Sequence, residues 1–169
     1  MKLILWIIFI ALLAVTGYQN YLIGASGYDV FSLEFAGKTH GLVIMGNWLN
    51  CFYGDSNLLE VARQNTHWDF FFIASYVTLL ITLSNWQMQR ENWLPLNELL
   101  RFNFLLVVAA GGLDVVENFR LLHNFHHVND AASYWGTCWL TGLKFIFIAV
   151  AVLIFMISFI KSLIIKWAF

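Results

Sequence analysis

Four apolar runs, each about the length needed to cross a lipid bilayer, constrain this chain more than any other feature. A helix rises about 1.5 Å per residue and the hydrocarbon core is about 30 Å thick, so a span needs roughly 20 mostly apolar residues. Residues 3–21, 68–86, 99–122 and 139–160 each meet that requirement. With no water at that depth, the backbone must satisfy its own hydrogen bonds, which leaves helices as the economical solution. The sequence therefore predicts an all-α membrane protein: a four-helix transmembrane bundle over residues 1–169, with short interfacial helices in its first outer loop. Composition agrees, since 60% of residues are hydrophobic and 11% charged, against about a quarter charged in soluble domains. A near-neutral net charge offers no footprint for nucleic acid, and the lipid bilayer is the expected partner.

Lys2 followed by an apolar run has the outline of a signal peptide. Val15 and Thr16 before Gly17 make a poor small-residue cleavage site, so a retained helix is expected. Orientation follows from basic residues in the loops. Lys2, Arg90, Arg101, Lys161 and Lys166 mark one side as cytoplasmic, together with both termini; Lys38, Arg63 and Arg120 oppose them from the outside. In the outer loop, 31–35 and 42–49 mix apolar residues with Glu34, Lys38 and His40, as short helices on a membrane surface do. Asn57 or Ser56 is placed to cap a helix whose first turn holds Glu60, and Thr66 with Asp69 forms a second capping pattern at the mouth of the second span. Cys51 and Cys138 both fall on the oxidising side, where a disulfide is possible and two free thiols are the alternative.

The third run contains Gly111-Gly112-Leu113-Asp114-Val115-Val116-Glu117-Asn118. Residues three and four apart share a helix face, so Asp114, Glu117 and Asn118 align with Asn103, Val107, Ala110 and Gly111, while Phe102, Leu106 and Leu113 point elsewhere. A stripe of small and polar residues must face protein, not lipid. Counting up from Arg101 puts Glu117 at a height of roughly 24 Å, and counting from Lys161 puts Lys144 at roughly 25 Å by the same rise. A salt bridge between Lys144 and the two acids is expected, with Arg120 a second candidate for Glu117. Ionised groups at this depth cost several kcal/mol unless paired, which makes them functional candidates by default. A purely structural ion-pair network is the competing reading.

Other polar groups gather at the same level. Asp69 opens the second span, Tyr76 lies two turns deeper, and these join Asp114, Glu117, Asn118 and Lys144 as a candidate outward-facing pocket for a small cation, a lipid headgroup or a partner subunit (another membrane protein or a second copy). His67, His126 and His127, with Asp114 and Glu117, hold the donor types of a divalent metal site, although no H-E-x-x-H or E-x-x-H pair occurs and His123 falls on the opposite face from Asp114. The acids also suit general acid–base work on a lipid or isoprenoid, or relay stations in a proton or ion pathway. Ser75, Thr78, Thr82 and Asn85 line the second span, where such residues commonly bond their own backbone. Phosphate loops, nucleophile elbows and Cys-x-x-Cys pairs are absent.

Taken together, Leu33-Glu34-Phe35-Ala36-Gly37, Trp48, His67-Trp68-Asp69-Phe70-Phe71-Phe72 with Tyr76, and the D-x-x-E-N stretch Asp114–Asn118 resemble a group of small bacterial four-helix integral membrane proteins. The resemblance implies a bacterial cytoplasmic-membrane setting and draws attention to Glu34, Asp69, Asp114, Glu117 and Asn118. It implies no substrate.

Overall fold

A computed structural model describes residues 2–168 and the side chains of residues 3–164. Lys2 and Lys166, two of the charges used to orient the chain, have side chains outside that set. Four helices are long and apolar enough to cross a membrane: α1 (Lys2–Gly24), α4 (Leu58–Met88), α5 (Leu94–His126) and α6 (Cys138–Ala168). The loop between the first two folds into α2 (Val30–Glu34), α3 (Lys38–Asn50) and a minimal antiparallel pair, β1 (Phe52–Tyr53) with β2 (Ser56–Asn57). That hairpin turns at Gly54, whose φ of 61° suits a residue without a Cβ. Pro95 sits in the first turn of α5, where its missing N–H has no carbonyl to serve.

α4 and α5 run well beyond the apolar cores from which they were inferred. At 31 and 33 residues they are roughly 46 and 50 Å long by the helical rise, against about 30 Å of hydrocarbon. The extra turns of α4 are held by packing. Leu58, Leu59, Val61 and Ala62 bury against Ile44, Met45 and Trp48 of α3, joined by Leu121 and Phe125 from the top of α5. This apolar core lies at the end of the bundle where α4 begins and α5 ends. Asn57 caps α4, its side chain accepting from the Glu60 N–H at 2.8 Å. The second capping pattern does not operate. Thr66 lies inside α4 and its hydroxyl donates to the Ala62 carbonyl at 3.0 Å, because the packed extension carries the helix past that point.

α4 is the central helix: it packs on α1 and α5 and touches α6, while α5 and α6 pack along each other. α1 and α6 make no extended contact, which leaves a cleft between them over α4. Lower down, polar groups join the helices. Asn103 donates to the Ala151 carbonyl at 2.8 Å, and Gln87 donates to Ser158 and Ser162. Such bonds are expected where lipid supplies no hydrophobic drive between helices. Ser75 and Thr78 bond back to Phe72 and Ala74 on their own helix.

Candidate functional site

The buried face of α5 follows the helical period through Asn103, Val107, Ala110, Gly111, Asp114, Glu117 and Asn118, while Phe102 is exposed. Gly111 allows the close approach of α4: a Cβ there would stand 2.7 Å from Val77 Cγ2. That approach brings the Tyr76 hydroxyl within 3.0 Å of Asp114 Oδ2, to which it donates. One helical turn higher, Asn118 donates to Asp69 Oδ2 at 2.8 Å. From the opposite side come Thr137, just before α6, and Thr141 and Lys144 on α6. Lys144 Nζ lies 2.7 Å from Asp114 Oδ1, 2.5 Å from Glu117 Oε2 and 3.6 Å from Glu34 Oε2. Thr141 donates to Glu117 Oε1.

Of the six proposed pocket residues, Tyr76, Asp114, Glu117 and Lys144 are joined by direct contacts and Asp69 and Asn118 form a pair beside them, so Lys144 stands level with the two acids as counting helical rise implies. Two members went unrecognised in the sequence. Glu34 was marked only by the resemblance; α2 ends on it, and the Thr137 hydroxyl fixes its carbonyl at 2.8 Å. Instead of lying on a water-facing side of a surface helix, Glu34 is 8% exposed and points at Lys144. Thr141 was overlooked, although its spacing from Lys144 on one helix puts both on one face.

Burial pushes the Glu34 carboxyl up to about 8, against the pull of Lys144 and with further upward pressure from Glu117, Asp114 and Asp69. The folded chain then holds that proton more tightly than the unfolded chain does. The Glu34 contribution to stability is therefore greatest below its ordinary value and declines as pH rises towards about 8. We expect wild type to lose melting temperature relative to Glu34→Gln between pH 5 and pH 8.5, where the amide mimics the protonated acid. Parallel melting curves in detergent across that range would show that Glu34 is solvated.

Other expected contacts are not made. Arg120 donates to the Gly136 carbonyl at 2.8 Å, which turns it away from Glu117. His67, His126 and His127 are exposed, whereas Asp114 and Glu117 are buried, so these donors cannot share one ion. Lys144 occupies the space between the two acids where a metal would have to stand. Among the described residues no group of three or more His, Cys, Asp or Glu is disposed to hold a metal. His123 bonds the Ser133 carbonyl and stacks on Trp135 at 4.1 Å. Cys51 and Cys138 are free thiols, with Cys51 donating to Asn47 Oδ1 at the end of α3.

The cluster borders the cleft between α1 and α6, which encloses about 390 Å³. Glu34, Asp69, Tyr76, Asp114 and Lys144 form its polar end; Trp6, Phe9, Phe72, Leu80, Leu83 and Val152 line the rest. A smaller cleft of about 170 Å³ shares Phe31, Glu34, Asp69 and Phe72 and continues past Thr16, Asn20 and Asn65. At the other end of the bundle lies a second ion pair that the sequence reading did not foresee. Glu91 accepts from Lys161, from Ser158 at 3.0 Å and from the Trp93 N–H at 2.9 Å. Burial raises the Glu91 carboxyl, but these donors outweigh it and hold the group below its ordinary value. Comparison with protein-family models, with curated proteins and with solved structures finds no match.

Proposed function

We propose that this chain is a multi-pass protein of a bacterial cytoplasmic membrane, with both termini inside, whose outer-leaflet cleft binds a lipid-like molecule by its polar head. The observation that carries the reading is the division of one cleft into two chemistries. Its charged end is built from three helices and the end of α2, and its walls are aliphatic and aromatic. Small-molecule sites have this character, mostly apolar with a few convergent polar groups. A gap between two spanning helices would open sideways to acyl chains, and α2 with α3 would cap it at headgroup level. The orientation is supported by Arg90 over the Trp86 ring at 3.9 Å and Lys161 5.1 Å from the Trp93 ring, cation–aromatic pairs of the kind that anchor a cytoplasmic interface.

Acid–base catalysis by Asp114 and Glu117 has less support. Glu117 is fully buried and does not line the cleft, so only Asp114 could reach a substrate there. A proton pathway lacks inner stations: Asn103 and Thr78 are both committed to backbone carbonyls. A binding test follows from the cleft walls. Leu80→Trp should fill the apolar part while leaving the charged end intact. We expect native mass spectrometry of the purified chain to show a retained amphiphile in wild type and roughly tenfold less in the variant, since filling the slot removes the contacts of the tail. Equal retention by both proteins would place the amphiphile elsewhere and remove the reading.

A further inference from the structure

The charge of the cleft selects the head that it takes. Glu34, Asp69, Asp114 and Glu117 supply four carboxyl groups around the single ammonium of Lys144. Lys144 is engaged at close range by Asp114 and Glu117, so it has little left to offer an incoming anion. The unmet demand is for positive charge. Glu34 Oε2 is enclosed, lines the cleft and accepts no hydrogen bond from any described residue; Lys144 Nζ stands 3.6 Å away. Asp69 uses Oδ2 to accept from Asn118, and none of the described residues bonds its Oδ1. Both acids border the main cleft and the smaller one, and at both they are accompanied by Phe31 and Phe72. Phe31 also lies 6.0 Å from Phe145, and Phe72 lies 5.7 Å from Tyr76. Carboxylates beside aromatic faces are the physical recipe for an organic ammonium, which gains from the ring quadrupole as well as from the negative charge.

We infer that the cleft takes an ammonium-bearing amphiphile, its cationic head between Glu34 and Asp69 and against Phe31 and Phe72, its tail along Trp6, Leu80, Leu83 and Val152. This inference rests on the reading of the cleft as a lipid-like site and names the chemistry of the head. An aminophospholipid and a free alkylammonium share that chemistry. For the phospholipid, the smaller cleft gives the phosphate a way out past Thr16, Asn20 and Asn65, whose side chains are polar and uncharged.

The test uses the full chain in nonionic detergent at about pH 9, above the Glu34 value of about 8 so that the free carboxyl is ionised, and two amphiphiles of equal tail, dodecyltrimethylammonium and dodecyl sulfate, titrated by calorimetry. We expect the ammonium to bind at least about tenfold more tightly, and Glu34→Gln to abolish that preference without loss of helical circular dichroism. Should Glu34→Gln fail to fold, Asp69→Asn provides the same test one helix away. Equal or stronger binding of the sulfate would overturn the inference while leaving the lipid-like cleft standing. Failure of both amphiphiles to bind would remove the cleft reading and the inference with it. Nanodiscs then separate the sources: enrichment of phosphatidylethanolamine over phosphatidylglycerol in the retained lipid marks the phospholipid, and no enrichment beside tight alkylammonium binding marks a free organic cation.

Discussion

Lys144→Met is expected to destabilise the protein by about 3–5 kcal/mol, the usual loss when one partner of a buried ion pair is removed. The side chain is 7% exposed and is the close cation for Asp114 and Glu117, whose own side chains are 8% and 0% exposed. Methionine keeps most of the volume and removes the charge, so the loss reports electrostatics more than packing. Two carboxylates one helical turn apart would then share a buried site close to Glu34, with the Tyr76 and Thr141 hydroxyls as their side-chain donors among the described residues. The ends of α5 and α6 that carry these groups should then separate. A rescue is expected when Asp114→Asn and Glu117→Gln are added, because the uncompensated charge disappears with them. The Lys161–Glu91 pair supplies the scale. Glu91 is buried but keeps the Ser158 and Trp93 donors, and Lys161 is 33% exposed and screened by solvent, so the loss in Lys161→Met should stay at roughly 1 kcal/mol. Thermal unfolding in mild detergent, followed by circular dichroism, ranks the three proteins. If Lys144→Met melts with wild type, water reaches these acids freely and no desolvation penalty holds the cluster together.

What the sequence made legible divides along a physical line. A spanning helix is a local property: enough consecutive apolar residues, whatever their partners. The four membrane-length helices were therefore readable, and so was the inward face of α5, since Asp114, Glu117 and Asn118 align by the helical period alone. Lys144 could be matched to them because rise per residue is a constant. Helix ends were harder. The first turns of α4 carry Leu58, Leu59, Val61 and Ala62, and they persist because α3 and the last turns of α5 cover them, a condition that no local window contains. The same cause disabled the Thr66 cap. Glu34 is the sharper case: its sequence neighbours suit a surface helix, and only the folding of α2 under Thr137 turns the side chain into the cluster. Arg120 failed the opposite way, for a plausible local partner lost to a loop carbonyl at Gly136.

The cap that holds Glu34, built from α2 and α3, depends on Trp48, and Trp48→Ala should have an effect as large as Lys144→Met by a different route. The indole is fully buried within the apolar core, with its ring 6.4 Å from that of Phe125. Its Nε1 donates to Ser26 Oγ and to the Tyr28 carbonyl, both at 3.1 Å. Those two residues flank Gly27, whose φ of 91° turns the chain from α1 towards α2. Trp48 therefore anchors the turn that delivers Asp29, the cap of α2, and at the end of α2, Glu34. Truncation to alanine leaves a large cavity and should cost about 3–5 kcal/mol. Trp48→Phe, which keeps most of the bulk and forfeits the donor, should cost about 1–2 kcal/mol. The losses should be local in hydrogen exchange: amides in 25–37 lose protection, while those in the middle of α4, α5 and α6 keep theirs. Ligand retention should fall with the cap, because Glu34 is positioned through it. Were Trp48→Ala to weaken the spanning helices and leave 25–37 protected, the cap would be a passenger, and the placement of Glu34 would have to come from α6 through Thr137 and Lys144 alone.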